Sequence, residues 1–212
     1  MSQGIHPPGL RKNWLARISP STTAVLVIDM VNDFIDSAAP MQAAGGQLII
    51  PKILSLLGAA RERQVPVIFV VERHRPGNRD YGIELEIEPE HGVEGTFGSE
   101  VVRELTPQSE DLVVIKRRYD AFFSTELDLV LRSNGIENII LTGTATELCV
   151  ASTAYHAKSL DYRVFFAEDC LAGSSVEKHE AFLLCAVPWI GQRITAADAI
   201  SSLSCDGGGP AA

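Results

Sequence analysis

The sequence predicts an α/β protein, a single three-layer domain with helices on both faces of a parallel sheet. Three observations point there. Apolar runs at residues 23–28, 65–71 and 138–142 do not alternate, which suits strands buried on both faces. Stretches with helical spacing of apolar residues separate the strand runs, so strands and helices take turns along the chain. Three reactive side chains, Asp29, Lys116 and Cys149, follow three of the strand runs, where open parallel sheets bind their ligands.

Residues 1–22, rich in Gly, Pro and basic groups with Trp14 as the one large anchor, read as an N-terminal arm on the surface or a neighbouring subunit. The domain proper is expected over 23–203. Its first strand ends in Asp29. Apolar residues at 53, 54, 56, 57 and 60 predict a helix over 51–64, with Pro51 suited to its first turn. The second strand, 65–71, has its proline near the start, where it does least harm. Residues 73–96 are polar and irregular, with four glycines. A connection of that length suggests a cover over a pocket. Residues 99–105 suggest one short helix.

The third strand, 112–115, runs into Lys116. Residues 125–135 predict a helix with a Thr125 cap and a Gly135 stop. Strand four is 138–142, followed by a helix over 149–160, strand five over 163–167, a helix over 177–187, strand six over 192–195 and a helix over 196–203. Residues 204–212 read as a disordered tail that includes an incidental Cys205.

Composition narrows the function. With 212 residues the chain has room for one sizeable core. A net charge of −9 argues against nucleic-acid and anionic-membrane partners, which need a basic face. The sequence has no run long enough to span a membrane and does not open on a signal peptide, so a cytoplasmic protein with free thiols is expected. The four cysteines lack metal-binding spacing.

The region around Cys149 draws the most attention. An apolar strand breaks at Gly143, a short polar turn follows, and a helical pattern opens on Cys149. Unpaired amides and a positive dipole end favour a thiolate there, and Thr146 is a candidate N-cap. A buried apolar cysteine fits the same pattern. Asp29 also reads as a loop cap, and Lys116 as a solvated lysine. Together, however, the three make chemical sense. Cys149 attacks a carbonyl, Asp29 takes its proton if burial raises its pKa, and Lys116 holds the pair together. Amides near Ala145 and Cys149 receive the oxyanion.

Ile28-Asp29-Met30-Val31-Asn32-Asp33-Phe34, residues 116–122, residues 125–128 and Gly143-Thr144-Ala145-Thr146-Glu147-Leu148-Cys149-Val150 resemble the isochorismatase-like cysteine hydrolases. This group includes nicotinamidases, N-carbamoylsarcosine amidohydrolase, ureidoacrylate amidohydrolase and biuret hydrolase. The resemblance spans about 22–203. It implies six parallel strands in the order 3-2-1-4-5-6, a catalytic triad of Asp29, Lys116 and Cys149, and a cis Thr144–Ala145 peptide aiming the Ala145 and Cys149 amides at the oxyanion. In that order Lys116 must reach across roughly 10 Å of sheet.

The resemblance also implies a small amide, ureido or carbamoyl substrate, C–N cleavage through a thioester, and a homodimer or homotetramer. Phe34, His74, Tyr119 and Phe122 are the candidate pocket walls. Glu72-Arg73-His74 falls where nicotinamidases begin a metal site, but residues 77–80 supply no further histidine. No metal or other cofactor is therefore expected. Arg73, Arg75, Arg117 and Arg118 suggest an anionic substrate. The alternatives are a nicotinamidase, and an idle member of the same fold acting as a binding or assembly module.

Overall fold

The computed structural model describes residues 14–204. The beginning of the expected arm (1–13) and residues 205–212 of the expected 204–212 tail, with Cys205, lie outside the described residues, while Ser204 is the last residue of a helix. Six strands, β1 (Thr23–Ile28), β2 (Val67–Glu72), β3 (Leu112–Lys116), β4 (Asn138–Thr144), β5 (Arg163–Ala172) and β6 (Gln192–Ile194), form one sheet in the order β3-β2-β1-β4-β5-β6. All neighbouring pairs are parallel.

Among the described residues, seven α-helices surround the sheet: α1 (Asn32–Ile35), α2 (Ile50–Glu62), α3 (Leu127–Ser133), α4 (Ala151–Ser159), α5 (Val176–Cys185), α6 (Val187–Ile190) and α7 (Ala196–Ser204). Successive β1 side chains alternate between faces. Val25 and Val27 pack with Ile53, Leu56 and Leu57 of α2 and Leu203 of α7. Ala24, Leu26 and Ile28 pack with Leu127 of α3, Ala154 of α4 and Val187 of α6. Because both faces are covered, the central strands β1, β2 and β4 are buried at every position and largely apolar, rather than apolar at every second one. The strand order reverses between β1 and β4, and that switch point opens the crevice that holds the site.

Several details depart from the sequence reading. Residues 99–105 do not form one helix. They make two 3₁₀ turns, Phe97–Ser99 and Arg103–Leu105, with Val101 between them bridged to Val31. Extended pairing at Val101 leaves no room for a continuous helix. The helix expected over 177–187 breaks at Ala186, and a separate turn begins at Val187 with Pro188 in its first positions, where proline is tolerated. β4 and β5 run further than expected, with an irregular register between Leu141 and Gly143 that absorbs the polar Glu168-Asp169 pair.

Gly143 sits at φ +105, and a Cβ there would lie 1.9 Å from the Ile28 carbonyl oxygen. Only glycine lets β4 press this closely on β1, one residue before Asp29. The described end of the arm packs on this chain's own core. Trp14 meets Phe165 edge-on with centroids 6.3 Å apart, and Asn138 Nδ2 donates to the Arg17 carbonyl at 3.0 Å.

Candidate active site

Asp29 follows β1 at φ +50, a left-handed conformation uncommon for a side chain with a Cβ. Its amide donates to the Val70 carbonyl at 2.9 Å, and Thr144 Oγ1 donates to its carbonyl at 3.0 Å. These bonds fix the carboxylate, whose Oδ1 accepts from the Glu72 amide at 2.8 Å. Lys116 Nζ lies 2.8 Å from Asp29 Oδ2 and 3.4 Å from Cys149 Sγ. The three groups singled out from the sequence therefore meet, all buried.

A fourth group completes the meeting. Glu72 is the register partner of Lys116 across β2 and β3, and its Oε2 pairs with Nζ while accepting from Cys149 Sγ at 3.6 Å. Since β2 lies between β1 and β3, Glu72 occupies the span Lys116 must cross. Its carboxylate anchors the ammonium halfway.

Cys149 does not sit in the third position of a Thr146-capped helix. Residues Thr146–Val150 form a single wide π turn ahead of α4, with Ala145 at its cap position. Thr146 Oγ1 instead bonds to His179 Nδ1 at 2.8 Å. The Thr144–Ala145 peptide is cis. Nor is a resting thiolate favoured. Burial, reinforced by the Asp29 and Glu72 carboxylates, holds the Cys149 thiol pKa well above its ordinary value despite Lys116. A helix-start effect of under about 2 kcal/mol cannot offset full burial beside two carboxylates.

The two carboxylates are pushed apart. Burial raises the Asp29 pKa, and the nearby Lys116 ammonium offsets this only in part. Burial also opposes ionisation of Glu72, but Lys116, with hydrogen bonds from His74 and His91, outweighs it and holds Glu72 well below the usual carboxylate range. Burial opposes the charge on Lys116 too, and Asp29, Cys149 and Glu72 more than restore it. Glu72 and Lys116 thus form a fixed ion pair, and Asp29 is the carboxylate able to change protonation state.

A cavity of about 50 Å³ opens onto the sulfur. Phe34, Met41, Ala43 and Leu148 form its apolar wall, while Glu72, Glu88, His91, Tyr119 and Ser174 supply polar groups. Phe34 and Tyr119 take the wall positions expected of them. Phe122 does not: it turns into the core, its ring 5.9 Å from that of Tyr162. His74 is also withdrawn, fully buried and stacked on Tyr81 at 3.7 Å.

His74 belongs to a second buried group. Glu72, His74, Glu84 and His91 bring one donor atom each within 4.8 Å of one another. His74 Nε2 lies 3.3 Å from Glu72 Oε1, and His91 Nε2 lies 3.8 Å from both Glu72 Oε1 and Glu84 Oε1. The Nδ1 atoms face outward, one toward Asp80 Oδ1 at 3.3 Å and the other toward the Pro89 carbonyl at 2.8 Å. Both Glu84 carboxylate oxygens are buried without a hydrogen-bond partner. Burial, aided by the Glu72 charge, raises the Glu84 pKa to about 7. Residues 77–80 supply no histidine to this group; His91, eleven residues beyond Asp80, does. Nothing in residues 77–91 alone indicates that the cover folds back far enough to deliver it.

An acid, an ammonium and a thiol thus meet, buried, at the switch point of a parallel sheet in an α/β protein. Residues 23–198 match the isochorismatase domain model. The chain belongs to the isochorismatase-like cysteine hydrolase family. It is 36% identical over 173 residues to a probable inactive nicotinamidase of Arabidopsis thaliana, covering 76% of this chain and 86% of that protein. It is 34% identical over 168 residues to the ureidoacrylate amidohydrolase RutB of Pseudomonas syringae pv. syringae, covering 69% of each. The crystal structure of an isochorismatase-like hydrolase from Alkaliphilus metalliredigens superposes with a TM-score of 0.80 at 35% identity, covering 85% of this chain and 98% of that one.

Proposed function

We propose that this protein is an amidohydrolase that cleaves a C–N bond of a small carboxamide, ureido or carbamoyl compound through a Cys149 thioester. The observation that carries this reading is the meeting of Lys116 Nζ with Asp29 Oδ2 at 2.8 Å and Cys149 Sγ at 3.4 Å beside a small cavity. Asp29, the carboxylate whose pKa is raised, takes the thiol proton as sulfur attacks the carbonyl carbon. Lys116, held by Glu72, stabilises the charge that passes between sulfur and carboxylate. The Ala145 and Cys149 amides receive the oxyanion. Asp29 then returns the proton to the departing ammonia or amine, and a water activated by Asp29 releases the acid.

Nicotinamidases of this family carry a metal, and the second buried group fits one. Two imidazole Nε2 atoms with anchored Nδ1 partners, and an orphaned buried carboxylate, are the donor set a borderline divalent cation such as zinc takes. Glu72, His74, Glu84 and His91 would hold the ion, which when bound supplies a Lewis acid at the cavity edge. Metal-free protein titrated with Zn²⁺ is expected to take up one equivalent per chain, and His91→Ala to weaken uptake at least roughly tenfold. Calorimetry that detects no zinc uptake makes the cluster a hydrogen-bonded acid–histidine network instead.

The decisive experiment is an ammonia-release screen over ureido acids, biuret-like compounds, nicotinamide and aliphatic amides. Cys149→Ala should drop turnover to the blank while the protein stays folded. Equal release by the variant, or none by the wild type on any compound, removes the amidohydrolase reading. The second result favours the idle-member alternative, which the name of the Arabidopsis relative keeps open.

A further inference from the structure

We infer that Glu88 makes the substrate cavity selective for uncharged amides over carboxylate-bearing ones. This rests on the amidohydrolase reading and specifies its substrate class. Among the described residues, no arginine or lysine lines the cavity, whereas Glu72 and Glu88 both do. Glu88 Oε1 accepts the Tyr119 hydroxyl from the cavity wall, and Oε2 lies 3.9 Å from His91 Nε2, beyond hydrogen-bond distance. Lys116, the nearest ammonium, is already shared between Asp29 and Glu72.

The arginines that suggested an anionic substrate are engaged elsewhere. Arg73 Nε donates to the Ser99 carbonyl at 3.3 Å, and Arg118 to the Asp80 carbonyl at 2.6 Å. Arg75 pairs with Asp80 at 3.3 Å, and Arg117 reaches Asp80 at 3.6 Å and Glu94 at 3.7 Å. All four bond to the 73–96 cover or its flank and none lines the cavity at Cys149; Arg118 lines a separate pocket on the far side of Tyr119. His91 lines the cavity too, but its Nε2 faces Glu72 Oε1 and Glu84 Oε1 at 3.8 Å and Glu88 Oε2 at 3.9 Å, so any charge it carries is already matched. A carboxylate entering the cavity therefore meets Glu88 without an unmatched cation to offset it. The volume of about 50 Å³ holds only a few water-sized groups, so a charged ligand inside it cannot keep its full hydration shell.

The test needs no known substrate. Iodoacetamide and iodoacetate form the same bond, sulfur to carbon with loss of iodide and the thiol proton, and differ only in charge. Alkylation rates are read peptide by peptide by mass spectrometry, with exposed Cys185 as the internal standard. Relative to Cys185, Cys149 should disfavour iodoacetate by roughly 30-fold or more, as expected for a like charge in a poorly screened site. Glu88→Gln, which keeps a partner for Tyr119, should recover most of that ratio through faster iodoacetate labelling. The same ordering is expected before and after chelation.

A Cys149 ratio equal to that of Cys185, a preference for iodoacetate, or an unchanged ratio in Glu88→Gln overturns the inference. So does a Cys149 that neither reagent reaches while Cys185 is labelled. The wild-type ratio stands as a test even if the variant misfolds. Failure of ammonia release bears on the amidohydrolase reading instead, since alkylation reports cavity charge without turnover.

Discussion

Replacing Lys116 with methionine is expected to cost about 3–5 kcal/mol of stability at neutral pH and to abolish turnover. Lys116 is fully buried, and among the described residues its ammonium is the one cation in contact with both Asp29 and Glu72. Methionine fills similar space, so the penalty comes from charge rather than from a cavity. Without the ammonium, Asp29 loses its charged partner and faces the Glu72 carboxylate, which keeps only its histidine partners, so the already raised folded-state pKa of Asp29 climbs further above the unfolded range. A carboxylate raised in this way binds more protons folded than unfolded, so its cost appears as pH climbs above roughly 4 and grows from there. The stability deficit relative to wild type should therefore be larger at pH 8 than at pH 5 in urea denaturation. An unfolding midpoint within error of wild type at both pH values would show that the pair is exposed or already neutral, contrary to its burial.

What the sequence discloses here depends on how local the cause is. Strands buried on both faces appear as unbroken apolar runs, and a reactive residue at the end of each run can be read directly. Asp29, Lys116 and Cys149 were legible for that reason. Glu72 was not, because its role depends on β2 lying between β1 and β3 and on its register with Lys116. His91 was missed for a related reason: an irregular cover returns it to His74 over seventeen positions, and no periodicity marks such a return. Residues 99–105 have helical composition, but the Val31–Val101 bridge, a contact distant in sequence, overrides it. Phe122 and Phe34 are alike as aromatic residues near a site motif. Only packing decides that one lines the cavity while the other stacks on Tyr162.

Asp29→Asn should produce the other large effect, and of an opposite kind: turnover falls roughly 10³-fold or more while the fold holds. An asparagine oxygen still accepts the Glu72 amide, and Lys116 keeps its partner in Glu72. Burial already disfavours the Asp29 charge, and Glu72 keeps the Lys116 ammonium, so losing that carboxylate should leave the unfolding midpoint unchanged or raise it. Cys149 supplies the discriminating measurement. Its thiol is held protonated by burial, against the pull of Lys116, with the Asp29 charge and hydrogen bond adding to the effect. Removing Asp29 therefore lowers the thiol pKa, and iodoacetamide should label Cys149 faster in the variant than in wild type. More thiolate with less turnover is what a proton carrier predicts. Sulfur activation alone predicts that labelling and turnover rise together. If Asp29→Asn keeps turnover within about tenfold of wild type, proton transfer belongs to another group, and Glu72 is the next candidate despite its depressed pKa.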